Sequence, residues 1–267
     1  MIRINLLQFL FTIFPLISCG IFAGNPEEDD GEKKNSGQLI VQLTDAPIDD
    51  LINVNIQIDK LILMGNGSPL ELDVGLGTID LLSLQGGKAA DLLSTTRLRE
   101  GRYSQIKLVL SDKISPSGIL KSGEKVDVSI PSAEQSGIKI NYSFEVISEE
   151  KTEIVLDFDL RKSIRKNQNR YVMRPVIRPV NRQMTGQIRG IFQDSHLICA
   201  FEAGESADEG DDCPNAVTSA IEIDGAFTLS FLPEGKFHLR VFRKNGTYFD
   251  RPNIDVTRNQ TTVISDN

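Results

Sequence analysis

Two carboxylates stand two positions apart in Leu156-Asp157-Phe158-Asp159-Leu160, so on a strand Asp157 and Asp159 share one face and the three apolar side chains take the other. Such a pair could hold a cation or divide acid and base roles. Nothing beside it supplies an orienting partner, and a solvated strand face is the expectation. Residues 161–193 carry nine Lys or Arg and no acid, in a chain whose formal charge is -8. Within them Arg174, Arg178 and Arg182 recur every four residues, which on one regular strand makes a stripe able to meet an anionic glycan, a lipid headgroup or an acidic partner. The plainer alternative is an exposed stretch between domains, offset by acidic neighbours. Six acids between Glu202 and Asp212 offer oxygens for calcium but lack the ordered spacing of a calcium loop, so they read as a solvated loop. Asp194-Ser195-His196 cannot assemble a triad by itself, because adjacent strand residues point to opposite faces. Zinc would need both histidines, His196 and His238, together with Cys199 and Cys213, and no metal site is expected. With no Gly-x-Ser-x-Gly, phosphate loop or dinucleotide fingerprint, neither catalytic residues nor a cofactor are expected.

The three cysteines carry the more specific chemistry. Cys19 closes Leu16-Ile17-Ser18-Cys19 behind a leader with Arg3 at its start and an apolar stretch from Leu6 to Leu16. The leader is too short to span a bilayer, which takes about 20 apolar residues. The run resembles the lipobox of bacterial lipoproteins, and the resemblance implies cleavage before Cys19, a lipid (palmitate among its acyl chains) on its thiol, and a mature chain starting there. That leaves Cys199 and Cys213, which an oxidising compartment favours as a disulfide closing a loop of about 15 residues; two free thiols or a metal pair are the alternatives.

These residues must be positioned by strands. After a polar, acidic, disordered tether (19–36), period-two alternation and β-branched runs broken by turn residues argue for Gln38 to Thr44 and Val54 to Met64, with Gly65-Asn66-Gly67-Ser68 turning the latter into Leu70 to Val74. Ile79 to Leu84 is ambiguous, and Lys88 to Thr95 is expected as a short helix. Arg102 to Ser111, Lys125 to Ile130, Ile138 to Ile147 and Glu153 to Leu160 continue the strands. Thr44-Asp45-Ala46-Pro47 reads as a strand exit in which Asp45 bonds nearby amides. Gly101 gives φ freedom to a tight turn, and Tyr103 is a candidate corner residue.

Six short motifs in order, Leu43-Thr44-Asp45-Ala46-Pro47, Asp80-Leu81-Leu82-Ser83-Leu84, Glu100 to Leu108, Gly137 to Ile140, Leu156 to Asp159 and Tyr171 to Arg178, resemble the domain-of-unknown-function 4382 family of bacterial lipoproteins over residues 37–181. This implies an exported, lipid-anchored β domain with no catalytic residues to carry over. Gly225-Ala226-Phe227-Thr228-Leu229 and Leu232-Pro233-Glu234-Gly235 resemble transthyretin-like or carboxypeptidase-regulatory-like modules, placing a second, smaller sandwich at 185–267. Such modules commonly serve as spacers or adhesion units.

The expectation is an all-β chain: a lipoprotein signal peptide (1–18), the tether, and two β-sandwiches in tandem. Functionally it is a non-enzymatic binding, adhesion or structural module of a bacterial cell envelope, lipid-anchored at the outer membrane or cell surface, with the periplasmic face as an alternative. Its partners are the membrane, through the lipid, and an envelope protein or anionic glycan, not nucleic acid. The competing class is a metal-assisted envelope hydrolase using Asp157, Asp159 or the acidic insert.

Overall fold

The computed structural model describes residues 35–48, 50–131, 136–168, 170–205 and 213–265. The leader, Cys19, the tether, and Asp208, Glu209, Asp211 and Asp212 of the acidic insert lie outside them.

The first part of the chain forms β1 (Ser36–Ala46), β2 (Leu51–Gly65), β3 (Gly67–Asp73), β4 (Thr78–Asp80), β5 (Ala90–Arg99), β6 (Gly101–Leu110), β7 (Ser117–Leu120), β8 (Lys125–Ser129), β9 (Ile138–Val146) and β10 (Lys151–Asp159). A one-turn helix α1 (Leu160–Ser163) follows, then β11 (Ile164–Asn167), β12 (Arg170–Met173) and β13 (Ile177–Asn181). They build a sheet of order β13-β10-β1-β5 facing one of order β11-β12-β8-β7-β2-β6-β9, to which β3 and β4 add on β2. The second part forms β14 (Thr185–Ile191), β15 (Ser195–Glu202), β16 (Thr218–Ala220), β17 (Phe227–Pro233), β18 (Gly235–Arg243), β19 (Tyr248–Val256) and β20 (Thr261–Ser265). Its sheets run β17-β14-β20 and β16-β15-β18-β19. The chain is therefore all-β, in two tandem sandwich-like units.

Alternation explains why each unit closes. Val54, Ile56, Ile58, Leu61 and Leu63 of β2 are buried beside Leu39, Val41 and Leu43 of β1 and Ile106 and Leu108 of β6, while their polar neighbours face out. The second core gathers Ile188, Phe192, Ile198, Leu229, Leu239 and Val241. There Phe192 stacks on Phe227 at 5.2 Å and meets Phe249 edge-on at 5.3 Å.

The helix expected at Lys88 to Thr95 is a strand: β5 pairs with β1 in antiparallel register, Leu93 opposite Val41 and Leu98 opposite Gly37. Leu92, Leu93 and Leu98 are buried by that pairing, and sheet burial overrides local propensity. Helix appears instead at α1, where Asp159 Oδ1 accepts from the Lys162 N–H at 3.0 Å as an N-cap. Ile79 to Leu84 resolves into β4 and a 3₁₀ turn capped by Asp80. β7 and β11 to β13 fall outside the runs read as strands.

The two units repeat one topology. β1 lies between antiparallel β5 and parallel β10, as β14 lies between antiparallel β17 and parallel β20. The antiparallel series β2-β6-β9 is matched by β15-β18-β19. The entry corners coincide in detail: Ser36-Gly37-Gln38 and Thr185-Gly186-Gln187 receive the turns after β9 and β19. The N–H groups of Glu149 and Asn259, at φ +62° and +56°, donate to Ser36 O and Thr185 O at 2.9 and 2.8 Å. Only glycine lets these strands approach, since a Cβ on Gly37 or Gly186 would lie 2.8 or 2.9 Å from Cγ1 of Val146 or Val256. The β5–β6 and β17–β18 hairpins likewise turn at Glu100-Gly101 and Glu234-Gly235, the glycines at φ +136° and +155°.

Candidate functional site

The residues singled out for chemistry meet where the two sandwiches join. On β10 Asp157 does not face solvent as expected. It is 5% exposed, because the second sandwich covers its face of the sheet. Arg178 sits directly opposite it on β13 and brings Nη2 to 2.6 Å and Nε to 3.2 Å from Asp157 Oδ2. The Nη1 of the same guanidinium donates to the carbonyl of Phe231 at 3.0 Å, across the junction. Burial pushes the Asp157 carboxyl above its ordinary range, against the pull of the neighbouring Arg178 charge.

Asp159 turns to a different task. Besides capping α1 it holds Lys162 Nζ at 3.1 Å, and Lys162 donates to the carbonyl of Ala216 in the second sandwich at 2.6 Å. The two acids share a strand face and two basic partners reaching the same neighbour, but they do not form a cation site. Among the described residues no group of three or more His, Cys, Asp or Glu is arranged to hold a metal ion.

The arginine stripe dissolves as well. Only Arg178 lies on β13; Arg174 precedes the strand in the link from β12, where its N–H donates to Ser163 O at 2.8 Å, and Arg182 follows it in a 3₁₀ turn. The spacing of four outruns a five-residue strand. Arg174 is exposed, Arg178 is committed to Asp157, and Arg182 reaches Gln42 through Nη1 and lies over the Phe231 ring at 5.8 Å.

The TDAP segment is also at the junction. Thr44 Oγ1 lies 2.8 Å from Lys88 O and 3.1 Å from Leu84 O, tying the 85–89 turn to β1. Asp45 stands at the exit of β1, which ends at Ala46, and is 7% exposed, buried at the junction. Thr44, Asp45 and Asp157 line a cavity of about 20 Å³ with Thr218 and Ser219 from the second sandwich, room for about one water.

Cys199 and Cys213 form a disulfide with Cα atoms 6.2 Å apart, buried with Leu197, Phe201, Ala216 and Phe242. It pins the segment that carries the Ala216 carbonyl. As a disulfide the two sulfurs are not thiolate ligands, so the four-residue zinc set is gone. His238 keeps the polar face, with Nε2 3.3 Å from Asp250, whose carboxylate Arg240 also grips at 2.9 Å. The Arg240 hydrogen bond holds the Asp250 carboxyl below its ordinary value. Ser195 is buried and donates to Phe192 O while His196 is exposed, so no triad forms. Tyr103 is a corner residue: its hydroxyl donates to Arg99 O at 3.1 Å and its ring stacks on Phe144 at 5.3 Å.

Phe231 and Ala216 carried no signal in the sequence, because the second sandwich contributes backbone carbonyls, which any residue provides; Lys162 was one of nine basic residues at 161–193 with nothing local to mark it out.

Residues 36–175 match the model of a family described as "Domain of unknown function (DUF4382)". No curated protein matches the chain. Among solved structures, the Bacillus anthracis TIE protein is 10% identical with a TM-score of 0.22, over 87% of this chain and 34% of that one, so this chain spans about a third of its length. The minor pilin GBS52 of Streptococcus agalactiae is 12% identical with a TM-score of 0.20, over 85% of this chain and 94% of the pilin. A fimbrial protein from Bacteroides ovatus is 8% identical with a TM-score of 0.20, over 87% and 48%. Scores this low leave the function to be argued from the chain's own residues.

Proposed function

The chain belongs to the DUF4382 family, and from that premise we propose that it is a lipid-anchored bacterial envelope protein whose paired sandwiches act as a non-enzymatic binding or adhesion module. One observation carries the non-enzymatic half. Asp157, the strand carboxylate best placed for acid and base work, is sealed in the junction and neutralised by Arg178, which extends to Phe231 O. A carboxylate held this way braces two units and cannot reach a substrate. The Leu16 to Cys19 run supports the anchored half. Two or more acyl chains, at about 0.8 kcal/mol for each buried CH₂, would hold the protein to a membrane without any other spanning element. No helix among the described residues is long and apolar enough to cross one.

Mass spectrometry of the N-terminal peptide of protein expressed in a bacterial host tests the anchor. A diacylglyceryl thioether on Cys19 is expected, with Cys19→Ser leaving the membrane fraction; a bare thiol or a retained leader overturns it. Stoichiometric bound metal, or hydrolytic turnover lost in Asp157→Asn, would overturn the non-enzymatic reading.

A further inference from the structure

We propose that the cleft between the linker and the second sandwich, bounded by Arg182, Gln187, Ser230, Asn259, Gln260 and Thr261, binds an acidic sugar, a pyranose ring bearing one carboxylate. The proposal rests on the binding-module reading above and gives it a site. The cleft has a volume of about 210 Å³. One water needs roughly 10 to 15 Å³ of such space, so the cleft has room for a ring-sized ligand.

The lining has the chemistry of a polyol site. Each sugar hydroxyl both donates and accepts, so it is matched by amides and hydroxyls that do the same. Gln187 Nε2 donates to Thr261 Oγ1 at 2.6 Å, which leaves the Gln187 carbonyl oxygen to accept and the Thr261 proton to donate. Asn259 and Gln260 are exposed at the rim. Ser230 Oγ is buried without a hydrogen-bond partner among the described residues, in the wall shared by this cleft and the smaller cavity at the junction.

The charge at the mouth selects an anion. Arg182, its side chain 45% exposed, lies 3.9 Å from Glu153, but Glu153 is held more closely by Lys151 at 2.6 Å. Among the described residues lining the cleft Arg182 is the one that carries a charge, beside neutral amides and hydroxyls, which suits one carboxylate more than a phosphate dianion, which draws several cations.

The internal repeat shows that the fold does not dictate these amides. The first sandwich makes the same corner turn with Glu149-Glu150-Lys151 where the second has Asn259-Gln260-Thr261, and the same backbone bonds close both. The turn tolerates acids, yet the copy that lines the cleft has none.

The test uses the purified full chain, with methyl glucuronide and methyl glucoside as probes, in calorimetry and saturation-transfer NMR. The glucuronide is expected to bind about tenfold more tightly than the glucoside, and Arg182→Gln to lose about that factor. Asn259→Glu with Gln260→Glu copies the first sandwich's own turn, so folding is preserved, and it should abolish glucuronide binding by repulsion. Arg174→Gln, outside the cleft, should leave it unchanged. Equal affinity for the two sugars, no binding at tens of millimolar, or affinity unmoved by the cleft variants overturns the proposal. The mass of the Cys19 peptide is untouched by any of these results, so failure of the cleft and failure of the anchor are read separately.

Discussion

Asp157 and Arg178 face each other across β10 and β13, Oδ2 to Nη2 at 2.6 Å, and Arg178 extends the bond to the Phe231 carbonyl of the neighbouring sandwich at 3.0 Å. A sheet pair has thereby become a joint between two units.

Removing the cation strands a buried charge. Arg178→Ala is expected to lower stability by about 3 to 5 kcal/mol, the loss on breaking a buried pair from one side. Arg178→Lys should fall between, keeping the charge without the fork that serves both acceptors. Denaturant unfolding near neutral pH measures both, and the deficit of Arg178→Ala should shrink as pH falls and Asp157 takes up a proton.

Two aspartates should titrate stability in opposite senses. Burial raises the Asp157 carboxyl in the fold, so folded protein holds that proton more tightly than unfolded chain; its contribution is full below the ordinary value of 3.8 and is lost as pH rises through the folded value. Arg240 lowers Asp250, whose contribution is present above 3.8 and is lost as pH falls through its folded value. Melting temperature against pH in Asp157→Asn and Asp250→Asn should differ from the parent with slopes of opposite sign. Parallel curves would sink both assignments.

The turn before β6 should resist change. Gly101 sits at φ +136°, and a Cβ there would lie 2.7 Å from Asn66 Nδ2, so Gly101→Ala is expected to destabilise by more than about 1 kcal/mol. Tyr103→Phe removes the bond to Arg99 O and the longer one accepted from Asn66 Nδ2 at 3.5 Å, with a loss of about 1 kcal/mol. Thermal or denaturant unfolding ranks the two.

Opening the disulfide should act on the second sandwich. Cys199→Ser with Cys213→Ser frees a loop spanning a separation of 14 residues, a loss of about 3 kcal/mol in the chain-entropy model. It also slackens the segment presenting Ala216 O to Lys162. Hydrogen exchange should rise in 213–220 and β15 and stay constant in β2 and β6.

Much of the strand pattern was legible, because burial on one face writes a period of two into β2, β6 and β9. The Gly65 to Ser68 hairpin and the Tyr103 corner were legible for a related reason: turn chemistry and a polar tip on an aromatic ring are local. Lys88 to Thr95 misled because its own propensity yields to pairing with β1, a partner more than forty residues away. Asp157 misled because alternation says which side of a strand a residue takes and nothing about what lies against that side. The repeat escaped notice because Ser36-Gly37-Gln38 and Thr185-Gly186-Gln187 resemble each other over too few residues to stand out until the backbone bonds align them.

By itself the sequence determined an all-β chain and its turns, since side-chain period and glycine placement act locally; it favoured a bond between Cys199 and Cys213, which the structure forms. Only the tertiary structure decided that Asp157 and Arg178 brace a junction, that Arg174 and Arg182 part company, and that Arg182 lines one cleft with residues of β14 and the turn before β20. Those relationships depend on one sandwich resting on another, and the second contributes to them largely through backbone carbonyls, which no residue type records.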